Sequence, residues 1–141
     1  MRMRIRPFER ADANAVIQLW AAADLVRPWN DPQRDIERKL AADPELFLVG
    51  EHASLVVATA MVGYDGHRGW VHYLAVAPEA QGRGHGRALM QHAEQLLTAL
   101  GCAKLNLQIR AGNAGALAFY RTLGYAEDAV IGMGKRLIPD H

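Results

Sequence analysis

The amino-acid sequence predicts an α/β or α+β fold rather than an all-α or an all-β one. Segments with the two-residue period of a strand alternate along the chain with segments whose apolar residues recur at helical spacing. The 141 residues suit one compact domain over residues 1–141, and half of them are apolar, as in ordinary globular proteins. The formal net charge of +1 gives no general reason to expect nucleic acid or an anionic membrane as a partner.

The first part of the chain predicts one strand followed by two helices. The segment MRIRPF alternates as a strand does, and Asp12 is placed to cap the helix that follows it. Asp31 and Pro32 then supply a cap and a first-position proline for a second helix.

Three more strands are predicted in the middle of the chain. The runs ELFLVGE and SLVVATAMVGY predict a hairpin around residues 52–54, and the second run is apolar enough to be a central strand. DGHRG is a turn signal, because Asp and Gly adopt turn conformations readily. WVHYLAVAP is the third strand, and Pro78 ends it because proline donates no ladder hydrogen bond.

The remaining chain predicts a helix, a strand, a second helix and one or two final strands. The first helix follows the glycines of residues 82–86, and KLNLQIR alternates as a strand over residues 105–109. Asn113 is a candidate cap for the next helix, which Gly124 ends. AEDAVIGMGKRLI supplies the final strand or strands.

The glycine-rich turn between a strand and a helix indicates a binding site. Gly82, Gly84 and Gly86 alternate with Arg83 and His85 directly before the helix. The first turn of a helix carries free N–H groups and the positive end of the dipole, and glycines let an anion approach the backbone. The pattern predicts a phosphate site, to which the charged side chains contribute; the alternative is a tight turn with solvated charges.

The spacing of the glycines excludes two common nucleotide-binding patterns. The P-loop needs Gly-Lys followed by Ser or Thr, which this turn lacks. The Rossmann pattern needs a third glycine at position 87 or 89, where the chain has Arg87 and Leu89. A nucleotide-binding regulatory domain is an alternative that rests on the glycine turn alone.

Two motifs in the second half of the chain resemble those of a known enzyme family. LAVAPEAQGRGHGRALM resembles the acetyl-CoA motif Q/R-x-x-G-x-G/A of the GNAT acetyltransferases, with Gln81, Gly84 and Gly86 at its marked positions. NAGALAFYRTLGYAE resembles the family's next motif, and a helix and a strand separate the two as the family expects. LVRPWNDPQRDIERKL and GYDGHRG further resemble a subgroup of small bacterial GNAT proteins of the YpeA type.

The resemblance implies a GNAT fold, in which a central, mixed, mostly antiparallel sheet is flanked by helices. It implies that the strand ending at Val76 splays from the strand beginning at Leu105, and that acetyl-CoA, the acyl donor, binds in the gap. The residues that the resemblance assigns to acetyl-CoA are Leu74, Ala75, Val76, Gln81, Gly82, Arg83, Gly84, His85, Gly86, Arg87, Ala88, Asn113, Ala116, Phe119 and Tyr120.

The resemblance also implies direct transfer of an acetyl group from a thioester to an amine. Tyr120 stands where the family places a hydrogen-bond donor to the leaving thiolate. Many members carry a glutamate on the strand before the glycine turn, and WVHYLAVAP carries no carboxylate. The candidate bases are His72, Asp65, His67 and Glu51, with a water relay as the alternative; histidine suits this task near pH 7.

The acceptor pocket is expected between the first two helices and the DGHRG turn. Its candidate residues are Arg27, which would recognise a carboxylate, with Trp29, Asn30 and His67. The alternative is a capped loop that a tryptophan anchors. The acceptor is expected to be an amine of a small molecule, a peptide or a protein, and no metal, nucleic acid or membrane is expected as a partner.

Cysteine content and hydropathy predict a cytoplasmic protein. Cys102 is the single cysteine, so no intramolecular disulfide forms, which fits a reducing compartment. The sequence predicts neither a signal peptide nor an apolar run long enough to span a bilayer. The oligomeric state stays open, although final strands in the family often pair across a homodimer.

One alternative from outside the enzymes is an acyl-CoA-binding module that senses or scaffolds with little turnover. The absence of a carboxylate on the strand favours it, and the presence of Tyr120 argues against it. Release of free CoA in the presence of an amine separates the two.

Overall fold

The computed structural model describes residues 2–140, which fall into two compact units. The first comprises residues 2–107 with Asp140, and the second is Gln108–Pro139. The first unit contains five strands and three helices: β1 Arg4–Pro7, α1 Ala13–Ala22, α2 Pro32–Ala42, β2 Phe47–His52, β3 Leu55–Tyr64, β4 Gly69–Val76, α3 His85–Ala99 and β5 Leu105–Asn106. The second contains α4, Ala114–Thr122. That residues 1–141 form a single domain stays a prediction.

The strands form one mixed, mostly antiparallel sheet in the order β1-β2-β3-β4-β5, as the fold class predicted. β1 to β4 pair antiparallel, and β5 is parallel to β4. The predicted hairpin joins β2 to β3 through Ala53 and Ser54, whose φ angles are 52° and 65°. Two consecutive positive φ angles match the right-handed twist of the flanking strands, so a two-residue loop closes the hairpin.

Helices cover both faces of this sheet. Trp20 of α1 and Ile36 of α2 are fully covered and pack with Phe47 in one cluster. Leu48, the neighbour of Phe47 on β2, is also buried but lies outside that cluster, as the alternation of a strand requires. The apolar side chains that α3 buries are Leu89, Met90, Ala93 and Leu97. The sheet is therefore apolar on both faces, which positions α1 and α2 against β4.

A bulge interrupts the ladder between β3 and β4. The register shifts between Thr59 and Met61, so β4 holds one extra residue there, and Tyr73 has a φ of 53°. The Thr59 hydroxyl donates to the Tyr73 carbonyl at 2.8 Å and accepts from Nε1 of Trp20 at 2.9 Å. Buried partners therefore satisfy the displaced carbonyl and stabilise the bulge.

The pairing of β4 with β5 is short. It joins Gly69 to Leu105 and Trp70 to Asn106 and then ends, although β4 continues to Val76. The part of β4 that follows Trp70 has no further ladder with β5, which is the opening that the predicted splay requires.

Two strand predictions were wrong in extent. β5 covers two residues instead of residues 105–109, and residues 126–138 form no strand. Residues 126–138 lie in the second unit, which contains no strand, and their side chains Ile131 and Met133 stay 91% and 93% exposed. Alternation alone does not make a strand, because most of its stability comes from cross-strand pairs.

The predicted capping role of Asp12 was also wrong. Its carboxylate accepts from both guanidinium nitrogens of Arg6, at 2.8 and 2.9 Å, and from the Glu9 backbone N–H at 2.8 Å. The side chain makes no cap hydrogen bond to α1. Arg6 also donates to Glu51 at 2.9 Å, so the Arg6 guanidinium links β1, β2 and the start of α1. Across residues 2–140, no helix has both the length and the apolar character that crossing a membrane demands.

Candidate functional site

The glycine turn leads directly into an uncapped helix. Gly82 and Gly84 have φ angles of 77° and 79°, which glycine adopts without strain, and Gly84 is the N-cap of α3. No side chain among residues 2–140 caps this helix. Its first backbone hydrogen bond runs from the Ala88 N–H to the Gly84 carbonyl at 3.0 Å. The N–H groups of residues 85–87 therefore precede the hydrogen-bonded ladder of the helix.

The space beside the turn is open. A Cβ atom built on Gly82 or Gly84 would meet no atom within 4 Å, and the side chains of Arg83 and Arg87 are exposed. Free amides, the positive end of a 15-residue helix and two arginines together fit a diphosphate, so the residues present suit acetyl-CoA.

The His85 side chain is largely shielded from solvent. The residue is only 9% exposed, and burial, followed by the charges of His52 and Arg83, lowers its pKa. The lowered pKa favours the neutral imidazole at pH 7. A contribution of His85 to anion binding stays a prediction.

The end of β4 connects to this turn. The Gln81 side chain donates to the Val76 carbonyl at 3.2 Å, which ties the loop to the strand. Ala75 is buried, whereas Leu74 and Val76 are half-buried. The predicted residues 74–76 and 81–88 are thus consecutive parts of one strand–turn–helix segment.

The bulge of β4 places two neighbouring side chains close to α2. The Tyr73 hydroxyl donates to Oδ2 of Asp35 at 2.5 Å, and its ring stacks on Trp20 with centroids 3.8 Å apart. His72 reaches solvent, yet surrounding protein and the charge of Lys39, in that order, lower its pKa. Lys39 and Asp35 lie one turn apart on α2, so the side chains of His72 and Tyr73 approach the same helix. A neutral imidazole beside the bulge is available to accept a proton at pH 7.

The DGHRG turn lies at the other end of β4. Oδ1 of Asp65 accepts from the backbone N–H groups of His67 and Arg68 at 2.8 and 2.7 Å, and Oδ2 accepts from Nε1 of Trp70 at 3.3 Å. Those backbone hydrogen bonds lower the pKa of Asp65, which weakens it as a base. The rise of β4 separates this turn from the glycine turn by roughly 20 Å. The catalytic role of Asp65 and the substrate role of His67 stay predictions.

The loop before α2 contributes one side chain to the face beside Tyr73. Both terminal nitrogens of the Arg27 guanidinium donate to Asp24, at 2.8 and 3.4 Å. A carboxylate of this chain therefore occupies the group that was predicted to bind a carboxylate of the acceptor. Trp29 is 48% exposed. The Asn30 side chain lies near the Tyr73 phenol and acts to lower its pKa against the larger effect of burial. Substrate contacts of the three loop residues stay predictions.

The second unit holds the remaining predicted residues. Asn113 caps α4, because its Oδ1 accepts from the Ala116 N–H at 3.0 Å. The Tyr120 ring meets Phe119 and Tyr125 edge-on, with centroids 5.0 and 5.8 Å apart. Burial raises the pKa of Tyr120 to about 12. Its phenol is therefore a neutral hydrogen-bond donor over the whole physiological range.

Sequence reasoning missed the charged face of α2. Arg34 and Arg38 both contact the Asp140 carboxylate, and Asp35 holds the Tyr73 hydroxyl. The helical spacing of Asp31, Arg34, Asp35 and Arg38 was a readable signal, because residues three and four apart share a face. No local signal marked Asp140, 102 residues from Arg38.

Within residues 2–140, no group of three or more His, Cys, Asp or Glu side chains is arranged to hold a metal ion.

An opened sheet lies beside the uncapped, accessible start of α3. Residues 14–125 match the model of the acetyltransferase (GNAT) family, and the chain belongs to that family. It is therefore an N-acetyltransferase that uses acetyl-CoA as its acetyl donor.

Relatives and solved structures agree with this assignment. An acetyltransferase of Yersinia enterocolitica is 50% identical over 138 residues, with 98% of both chains covered. An acetyltransferase of Sodalis glossinidius is 51% identical over 139 residues, again covering 98% of each chain. The chain is also similar to the structure of the ribosomal-protein-S18-alanine N-acetyltransferase of Escherichia coli. That match has 27% identity and a TM-score of 0.75, over 89% of this chain and 79% of the other.

Proposed function

We propose that the protein binds the acetyl-CoA diphosphate on the first turn of α3 and presents the acetyl group beside the β4 bulge to an amine arriving from the α1/α2 face. The observation that carries this proposal is the uncapped start of α3, where Gly82 and Gly84 hold left-handed conformations next to open space. An uncapped, accessible helix start leaves donors whose natural partner is an anion.

The donor side of the site uses mainly backbone groups. We assign pairing with the pantetheine arm to the backbone of Leu74 and Val76, in the part of β4 that has no ladder with β5. The amides proposed for the diphosphate are those of Arg83, Gly84, Gly86 and Arg87. The predicted use of the Ala88 amide was wrong, because that N–H already donates to the Gly84 carbonyl at 3.0 Å. The other proposed contacts to the donor come from Ala75, Gln81, Gly82, His85, Asn113, Ala116, Phe119 and Tyr120.

The amine must lose a proton before it reacts. A lysine-like amine with a pKa near ~10.4 is neutral about once in ~10³ molecules at pH 7. Acetyl-CoA, when bound, supplies an activated acetyl group as a thioester. We assign the base to His72, directly or through one water, because its lowered pKa keeps the imidazole neutral at pH 7. Among the candidate bases, only His72 adjoins the bulge residue Tyr73.

Tyr120 is proposed to donate a hydrogen bond to the leaving sulfur. With its pKa at about 12, complete proton transfer to a thiolate of pKa near ~8.5 would be uphill by about 5 kcal/mol. A hydrogen bond to developing negative charge needs no such transfer and still stabilises the leaving group. The phenol is therefore assigned as a hydrogen-bond donor rather than as an acid.

The acceptor class, location and assembly complete the proposal. The Escherichia coli neighbour is named for an alanine of a ribosomal protein, which supports a peptide or protein amine as one acceptor class and leaves small-molecule amines as the other. A cytoplasmic location is supported by the use of acetyl-CoA, a metabolite of that compartment. A homodimer is supported by exposed apolar side chains in the second unit, at Val130, Ile131, Met133, Leu137 and Ile138.

Calorimetric titration with acetyl-CoA and with S-acetylpantetheine tests the donor site. The second compound keeps the thioester and lacks the diphosphate. Acetyl-CoA is expected to bind more than about tenfold tighter, because charge-assisted hydrogen bonds each contribute about 1.5–3 kcal/mol. Equal affinities would remove the diphosphate from the first turn of α3.

Light scattering at increasing protein concentration tests the homodimer, and a monomer at every concentration would exclude it.

A further inference from the structure

The exposed face of α2 carries two arginines, Arg34 and Arg38, that form salt bridges with one carboxylate. Nη1 and Nη2 of Arg38 donate to the two oxygens of Asp140 at 2.7 and 2.8 Å, and Nη1 of Arg34 adds a third contact at 3.4 Å. The Asp140 side chain is 1% exposed, whereas the arginine side chains are 56% and 47% exposed. The carboxylate is therefore enclosed by guanidinium groups that solvent still reaches.

The two guanidinium groups are also held by helix neighbours. Arg34 contacts Asp31 at 3.5 Å and Arg38 contacts Asp35 at 3.4 Å, each three residues back along α2. These pairs orient the arginines from within the helix. A fork held in this way matches the two oxygens of a carboxylate and loses little further freedom when it binds one.

This carboxylate site adjoins the proposed reaction centre. Asp35, which contacts Arg38, accepts the 2.5 Å hydrogen bond from Tyr73, the residue of the β4 bulge. The charge of Asp140 also contributes to the raised pKa of Tyr73, for which burial is the largest cause. Two side-chain contacts therefore join the arginine pair to the bulge.

We propose that Arg34 and Arg38 form the acceptor-recognition site of the enzyme, that they bind a carboxylate of the acceptor, and that Asp140 occupies their place as a built-in mimic. The acceptor class is then an amine that carries a carboxylate several bonds away, such as a short peptide with a free C-terminus. This inference rests on the proposed function for the location of the reaction, and it assigns to α2 the role that the sequence predicted for Arg27. An incoming acceptor displaces the Asp140 side chain, so Asp140 also lowers the affinity for acceptors.

A kinetic comparison of matched acceptors tests the specificity. Trialanine and trialanine amide differ only at the end remote from the reacting amine, and acetyl transfer to each is followed through CoA release. The free acid is expected to have a kcat/KM at least about tenfold higher, from charge-assisted hydrogen bonds to one carboxylate. Arg38→Ala should remove this preference by lowering kcat/KM for the acid alone, and Arg38→Lys should restore part of it. Arg10→Ala, which removes an arginine outside α2 together with its exposed ion pair to Glu37, is the matched control. Equal rates for acid and amide, or an equal loss for both in Arg38→Ala, would overturn the inference.

Asp140→Asn tests the mimic without depending on turnover. The substitution keeps the shape of the side chain and removes its charge, so the arginine fork becomes available. Calorimetry with N-acetyltrialanine, which cannot be acetylated again at its N-terminus, should show tighter binding to Asp140→Asn than to wild type, and none to Asp140→Asn with Arg38→Ala. N-acetyltrialanine amide should bind none of the three proteins. Binding of the acid with no acetyl transfer to any amine would contradict the proposed function and keep the carboxylate site. Acetyl transfer to amines with no difference between the acid and the amide would support the proposed function and contradict the carboxylate site.

Discussion

Replacing Gly84 tests the anion-binding turn most sharply when two nearly identical side chains are compared. Gly84→Asn and Gly84→Asp carry the same shape, and both meet open space at a φ of 79°. The left-handed conformation costs either side chain roughly 1 kcal/mol, and the aspartate adds a negative charge at the N-cap of α3. The difference between the two variants therefore isolates electrostatics from backbone strain.

The size of that difference follows from Coulomb's law. A carboxylate about 5 Å from one phosphate charge is repelled by about 1 kcal/mol in water and by about 3 kcal/mol at an effective dielectric constant near 20. Gly84→Asp should therefore bind acetyl-CoA about 5- to 150-fold more weakly than Gly84→Asn. The gap should narrow at high salt, because screening shortens the reach of exposed charges.

Calorimetric titration of both variants at low and high salt is the assay. Gly101 supplies the matched control, because it has a φ of 87° and open space beside it just past the C-terminal end of α3. Gly101→Asn and Gly101→Asp should bind acetyl-CoA alike, and S-acetylpantetheine should bind both Gly84 variants alike. Equal affinity of the two Gly84 variants for acetyl-CoA would refute the placement of the diphosphate.

Two further substitutions test the residues proposed for the chemistry, and a third tests the stability of the fold. Tyr120→Phe should lower kcat roughly 10²-fold with acetyl-CoA affinity nearly unchanged, measured by CoA release and calorimetry; wild-type turnover would remove its role. The wild-type rate should rise with pH through the lowered pKa of His72, below its ordinary 6.5, because only the neutral imidazole accepts a proton. His72→Gln should lower kcat about 10²-fold and abolish that acidic limb, whereas a persisting limb would point to another base. Arg6→Ala should lower the free energy of unfolding, measured in urea, by about 2–4 kcal/mol, because the shielded carboxylates of Asp12 and Glu51 lose the Arg6 guanidinium. A decrease no larger than that of Arg10→Ala would refute this.

Local signals predicted the elements that local chemistry determines. Asp31 does cap α2, since its Oδ1 accepts from the N–H groups of Gln33 and Arg34. The glycine turn likewise follows from residues whose conformational freedom is readable in the sequence, because Gly82 and Gly84 do adopt positive φ. Positions of this kind need no knowledge of the rest of the fold.

Features that depend on distant partners could not be read in the same way. The bulge at Tyr73 lies inside a strand segment, residues 70–77, that contains no glycine or proline to mark it. It is stabilised by Thr59 and Trp20, which are far away in sequence. Residues 105–109 alternate, yet only residues 105 and 106 pair with β4, and residues 126–138 form no strand. The carboxylate site needed Asp140 to be placed beside Arg38, and no property of either residue alone predicts that pairing.

The central claim is transfer of an acetyl group from acetyl-CoA to an amine nitrogen. The most direct measurement incubates the protein with acetyl-CoA labelled in the acetyl group and a panel of peptides, amino acids and small amines, and detects labelled amide by mass spectrometry. The account predicts labelled N-acetyl product in amounts equal to the CoA released, with both strongly reduced in Tyr120→Phe. Tight binding of acetyl-CoA without labelled amide from any amine would contradict it and would favour an acyl-CoA sensor.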